Sequence, residues 1–212
     1  MAVAAGLPAR PRTGGLLLFL DEGQRVFARH GEVPIELPPY VLDENIRNTK
    51  RIAQLFGSLS GELVKPRGLE GPPARLVDVP VDDVISVADG AVEALLDEGW
   101  APDQIALLTT PHRHPEQKNA VDVGGWAAYW DALFTEQDVF YRHVLGFKGL
   151  ERQVVVLAVN GFRDLDRAKE TLYVGLSWAR SLLVLVGPRT LVEEIGGAGV
   201  RQRLRSAERW PV

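Results

Sequence analysis

The sequence predicts an α/β domain with a mainly parallel sheet flanked by helices. Three observations predict it. Short apolar runs alternate with segments of helical periodicity along most of the chain. Val154 to Val159 is almost continuously β-branched or aliphatic, as a central strand buried on both faces requires. The 212 residues, 46% hydrophobic and 25% charged, are enough to bury a core without disulfides or metals.

The elements follow in order. Residues 1–15 are small, carry Pro and Gly and lack a period, which fits a disordered start. Leu16 to Leu20 reads as a buried strand closed by Asp21 and Gly23. Pro34, Pro38 and Pro39 make residues 31–40 an extended connector. Ile52, Leu55, Phe56 and Leu59 lie on one helical face, with Asn45 or Asp43 as cap and Gly57 and Gly61 closing the helix. Residues 61–74 form a Gly/Pro loop, and Arg75 to Val81 alternates as a strand. Asp82 then caps a helix with Val84, Val87, Ala91 and Leu95 inward, ended by Gly99.

Ile105 to Thr110 is a strand running into a polar loop, Pro111 to Asn119. Trp126, Trp130 and Leu133 fall on a short helix, and Val139 to Val144 is a strand. After the central run, Asp164 or Asp166 opens a helix with Ala168, Leu172, Leu176 and Ala179 inward. Leu182 to Val186 is the last buried strand, stopped by Gly187-Pro188. A short helix follows, and the end from Arg201 to Arg209, with four arginines, reads as a solvated basic tail.

Composition excludes several classes of function. The chain has no cysteine, which removes disulfide scaffolds, thiol nucleophiles and Cys-ligated metal sites. The net charge of −4 gives no whole-chain signal for nucleic acid, although a groove can be locally basic. Leu16 to Leu20 is too short for a membrane span or a signal-peptide core. The expectation is a soluble, cytoplasmic protein with no membrane contact.

Three stretches carry the candidate chemistry. Leu18-Phe19-Leu20-Asp21-Glu22-Gly23-Gln24 is an apolar strand ending in Asp-x-x-Gln. Leu42-Asp43-Glu44-Asn45-Ile46-Arg47-Asn48 places Asn-x-Arg at a helix start. Phe147-Lys148-Gly149-Leu150-Glu151 is followed by Leu172-Tyr173-Val174-Gly175-Leu176-Ser177-Trp178-Ala179-Arg180. In this order the chain resembles the C-terminal half of superfamily 1 DNA helicases of the UvrD/Rep type, over about Leu16 to Gly187.

The resemblance implies a RecA-like domain of the P-loop NTPase type. In such motors ATP with Mg²⁺ sits between two RecA-like domains, and hydrolysis is coupled to closure of the second on the first. Residues 16–40 would then be the remnant strand and linker of the first domain, 41–200 the second domain and 201–212 a basic tail. Gln24 resembles the glutamine that senses the γ-phosphate. Arg47 resembles the first arginine on that phosphate, a task suited to a permanently charged planar fork. Glu151 resembles the carboxylate that accepts hydrogen bonds from the ribose, with Gly149 turning the backbone beside it and Lys148 in the same motif. The implied partners are single-stranded or duplex DNA and a chain supplying the first RecA-like domain.

Departures from the family pattern are equally informative. The sequence contains no G-x-x-x-x-G-K-[ST] phosphate loop (Walker A) and no acidic Mg²⁺ motif (Walker B). Trp178 stands where the family has its second phosphate-contacting arginine, and loss of such a finger typically costs ~10³–10⁵ in turnover. Arg180 lies two residues further on, where a continuing helix would point it elsewhere. Leu145 replaces a histidine that the family carries toward DNA. The implied activity is therefore that of an ATP-dependent DNA helicase, expected to be inactive alone. The alternative is a catalytically dead module that binds nucleic acid or protein.

Plainer roles stand beside these. Gln24 could be a turn residue, Arg47 could pair with Asp43 or Glu44 along one turn, and Glu151 could be a loop carboxylate. His112, His114 and Glu116 lack further ligands at useful spacing, so they read as a surface loop rather than a metal site. Trp126, Tyr129 and Trp130 read as core, and Gly196 to Gly199 as a loop.

Overall fold

A computed structural model describes residues 42–60, 65–135, 138–147 and 149–211. In it, odd and even positions of the central strands separate cleanly onto two faces. The expected strand Leu16 to Leu20, with Gln24 and the connector at 31–40, lies outside the described residues, as does Lys148. The elements are β1 (Glu44–Asn45), α1 (Lys50–Ser60), β2 (Lys65–Pro66), β3 (Arg75–Val77), α2 (Val84–Asp97), β4 (Ile105–Thr109) and α3 (Pro115–Thr135). They continue with β5 (Phe140–His143), β6 (Arg152–Ala158), α4 (Ala168–Ser177), β7 (Ala179–Val186), α5 (Arg189–Leu204) and β8 (Glu208–Arg209).

Six strands form one sheet in the order β5-β4-β6-β7-β3-β8, and every pairing is parallel. β1 and β2 pair separately, also in parallel. Val155, Leu157 and Val159 face the side covered by α1, α3, α4 and α5, together with Ala106, Leu108, Leu183 and Leu185. Val154, Val156 and Ala158 face α2, with Ile105, Leu107, Leu182, Val184 and Val186. Each fully buried Val or Leu contributes about 1.5–3 kcal/mol over its exposed state, so two-sided burial favours the run of adjacent aliphatics that the sequence displays. The expected α/β fold, with a mainly parallel sheet flanked by helices, is present.

Several local expectations are corrected. Asp82 does not cap α2: residues Val81–Asp83 form a 3₁₀ turn before it, and no side-chain cap bond is made. The start of α1 is closed by backbone instead of by Asn45 or Asp43. Lys50 N donates to Leu69 O (2.8 Å) and Thr49 N to Arg180 O (3.0 Å). Gly57 lies inside α1. The polar loop expected to reach Asn119 becomes helical at Pro115, a residue whose missing N–H costs nothing in a first helical turn. α3 then runs to Thr135 with a kink at Gly125 (φ 72°, ψ 174°). Gly196 to Gly199, read as a loop, lie within α5, which breaks at Gly197 (φ 69°, ψ −165°); a Cβ on Gly199 would come within 2.6 Å of the Ser58 Cβ, so its absence allows α5 to approach α1. The basic tail is also built into the fold. Leu204 is buried, and Glu208–Arg209 extends the sheet beyond β3.

Candidate functional site

Asn45 and Asn48 first lock the bend that presents Arg47. Asn48 N donates to Asn45 Oδ1 (3.1 Å), and Asn45 Nδ2 donates to Asn48 Oδ1 (2.9 Å). The buried Asn48 amide then reaches across the fold, donating to Ser177 O (2.9 Å) and Ala179 O (2.6 Å). Arg47 Nη2 donates to the same Ser177 carbonyl (3.0 Å). The bend at 45–48, ahead of α1, is thereby fastened to the corner between α4 and β7.

At that corner Arg47 meets Glu151. Its Nε lies 3.9 Å from Glu151 Oε2, and its guanidinium sits 5.1 Å from the Trp178 ring centroid. Glu151 follows the positive-φ turn at Gly149 (φ 88°) and leads into β6. The local pairing considered for Arg47 is not used: Asp43 pairs with Lys65 and Glu44 with Arg67. Arg47 and Glu151 are thus brought together, while Gln24 and Lys148 lie outside the described residues.

Two expectations at this corner change. α4 ends at Ser177, so Arg180 sits on β7 and not on a continuing helix. Its Nη1 lies 3.3 Å from Glu151 Oε1, beside the residues from which the helical geometry was expected to divert it. Trp178 is 2% exposed and packs edge-on against Phe147 (6.3 Å). Two guanidinia and one carboxylate at a solvent-facing corner suit a ligand with several negative charges and hydroxyl groups.

A second site was invisible in the sequence. A cleft of about 420 Å³ opens beyond the carboxyl ends of β4 and β5, and its walls include His112, Arg113, Lys118, Arg142, His143 and Arg163. Ligands of open parallel sheets lie beyond the carboxyl ends of their strands. The described walls contain three arginines, one lysine and no carboxylate. Arg142 rests over Trp130 (4.4 Å) and Trp126 (5.4 Å), with its Nε and Nη1 buried and without hydrogen-bond partners among the described residues. Gly146 makes room for it, since a Cβ there would stand 2.4 Å from Arg142 Nε. Burial and the charges of Arg163, Arg142 and Arg113 hold His143 below the usual histidine range, against a hydrogen bond with the Thr110 backbone. The cations come from several segments that no single motif joins. The aromatic residues read as core divide accordingly: Tyr129 and Leu133 are buried, whereas Trp126 is 42% exposed.

His114 is likewise not in a surface loop. It is buried, accepts the Glu116 amide on Nδ1 (3.2 Å) at the start of α3, and sets Nε2 3.2 Å from Asp89 of α2. Its Nδ1 holds the helix start and its Nε2 faces the Asp89 carboxylate without completing a hydrogen bond, which gives it a structural part. Burial depresses its pKa below the ordinary 6.5, although Asp89 and Glu116 pull the other way. A depressed histidine contributes stability that is present above the unfolded value and lost as pH falls through it toward the folded value. Burial raises Asp89, which acts in the opposite sense. Stability is expected to fall on acidification from about pH 7 to 5, with a shallower slope in His114→Asn, which keeps a capping acceptor without titrating there. Urea unfolding across that range checks this; equal slopes would refute it.

No cluster of three or more His, Asp or Glu gathers as a metal site among the described residues, and no described helix is long and apolar enough to cross a membrane. No protein-family model matches the sequence, and no curated protein matches it. Among solved structures, the chain is similar to the C-terminal domain of a possible DNA helicase from Lactobacillus plantarum WCFS1. The two are 17% identical with a TM-score of 0.40, over 68% of this chain and 87% of that one.

Proposed function

We propose that this chain is the C-terminal ATP-binding half of a UvrD/Rep-type DNA helicase, an ATP-driven translocase on single-stranded DNA that is inactive without a phosphate-binding loop from elsewhere. The observation that carries the reading is the meeting of Arg47 and Glu151 at the Ser177–Trp178 corner, from segments far apart in sequence. Arg47 would contact the terminal phosphate of ATP and Glu151 the ribose, with Gly149 shaping the turn and Lys148 and Gln24 completing the set. Magnesium would be held mainly by the phosphates and by the first RecA-like domain. The basic cleft supports DNA as partner, because a row of cations without carboxylates suits a phosphate backbone.

A fluorescent N-methylanthraniloyl-ATP titration of the full chain tests the nucleotide part. Arg47→Ala is expected to weaken binding roughly 10–100-fold, the range for losing a charged hydrogen bond. Absence of binding to the unaltered chain up to millimolar nucleotide refutes it. For the DNA part, Arg113→Ala and Arg163→Ala should each reduce the salt slope of oligonucleotide binding by about 0.7. Slopes that do not change would remove the cleft from the DNA path. The buried Trp178 favours a second reading, a nucleic-acid-binding module without ATP turnover. Oligonucleotide binding indifferent to ATP would support it.

A further inference from the structure

We infer that Arg180 is the second guanidinium of the nucleotide half-site, replacing the charge that Trp178 cannot carry. The inference rests on the proposed function, and it follows from where the chain changes from helix to strand. α4 stops at Ser177, Trp178 takes the last helical conformation (φ −89°, ψ −12°), and β7 begins at Ala179. The ladder with β6 is irregular there, with the three-residue step from Ala179 to Leu182 set against the two-residue step from Arg152 to Val154. Ala179 goes into the core, Arg180 goes out, and Leu182 returns inward. A helix would have carried residue 180 away from residue 178, whereas the strand returns its head to the same corner.

The position is fixed from both ends. The Arg180 carbonyl accepts Thr49 N (3.0 Å), next to the Asn48 clasp. The Arg180 guanidinium lies 3.3 Å from Glu151 Oε1, while Arg47 approaches the other carboxylate oxygen at 3.9 Å. Two cations therefore share one anion, leaving the group with a net charge of about +1.

The exposures decide what this arrangement is for. The side chains of Arg47, Glu151 and Arg180 are 36%, 40% and 47% exposed. Ion pairs that open to water contribute little to folding. A triphosphate offers far more negative charge than one carboxylate. It would therefore draw both guanidinia from Glu151, and the carboxylate would then be free to accept from ribose hydroxyls. Trp178 leaves Arg180 unobstructed because its own ring is buried against Phe147.

The test compares N-methylanthraniloyl-ATP with N-methylanthraniloyl-AMP on the full chain, with circular dichroism confirming that each variant is folded. Arg180→Ala is expected to weaken ATP binding roughly tenfold and to leave AMP binding nearly unchanged, since only the longer phosphate tail reaches a second guanidinium. Arg180→Lys should recover part of the loss, and inorganic tripolyphosphate should compete less well against Arg180→Ala. Unchanged ATP binding in Arg180→Ala, beside clear loss in Arg47→Ala, overturns this inference and spares the proposed function. No nucleotide binding by the unaltered chain overturns both.

Discussion

Trp178→Arg, the substitution that would restore the family pattern, is expected to destabilise the protein by about 3–5 kcal/mol, the usual range for removing a large buried aromatic side chain. The ring is 2% exposed and packs edge-on against Phe147 on one side, with the Arg47 guanidinium over it on the other. An arginine would lose that packing and bring a third cation beside Arg47 and Arg180. Its desolvation would have no carboxylate to offset it except Glu151, which both existing arginines already approach. Trp178→Phe should cost much less, because it keeps an aromatic ring and the indole Nε1 has no hydrogen-bond partner among the described residues. Guanidinium chloride unfolding of both variants measures the difference. A midpoint for Trp178→Arg equal to that of the unaltered chain would show that position 178 can turn outward and serve as a finger. It would also weaken the case for Arg180.

The sequence revealed what depends on neighbours along the chain and concealed what depends on partners across the fold. The buried strands were readable at Val154 to Val159 and Leu182 to Val186, because two-sided burial leaves an aliphatic run that needs no tertiary knowledge. The turn at Gly149 was readable for the same reason: only glycine takes a positive φ at low cost. His114 reads as a surface residue because the carboxylate it faces, Asp89, comes from another helix. Pro115 lies in a polar run that reads as loop, although proline also suits a first helical position. The end of the chain looked like a solvated tail because two residues, Glu208–Arg209, carry no strand signal of their own; β3 supplies the pairing.

The site divides along the same line. Motif order could single out Arg47 and Glu151 as candidates one by one, and the fold brings them together. A helix continued through Ser177 points Arg180 away from position 178. Where a helix ends is the least certain feature of a periodic pattern, and one residue of difference decides which way Arg180 faces. The basic cleft has no local signature at all, since its cations come from the loop after β4, the start of α3, the end of β5 and the segment after β6.

Asn48 is the residue whose importance spacing could not suggest, and its replacement carries the second large effect. Asn48→Ala is expected to cost about 2–4 kcal/mol, from lost hydrogen bonds and a buried carbonyl left without its partner. The Asn48 amide donates to both Ser177 O and Ala179 O. Ser177 O keeps the Arg47 donor, whereas Ala179 O loses the side-chain donor that reaches it from Asn48. Asn48→Asp should be at least as damaging despite its equal size, because a carboxylate oxygen would face two carbonyl oxygens. The same clasp sets the direction of Arg47, so nucleotide binding should weaken in Asn48→Ala even under conditions where the variant remains folded. Urea unfolding together with an ATP titration separates the two effects. Loss of stability with unchanged ATP binding would make Asn48 a packing residue alone. A stability change below about 1 kcal/mol would show that the clasp contributes no more than an ordinary hydrogen bond.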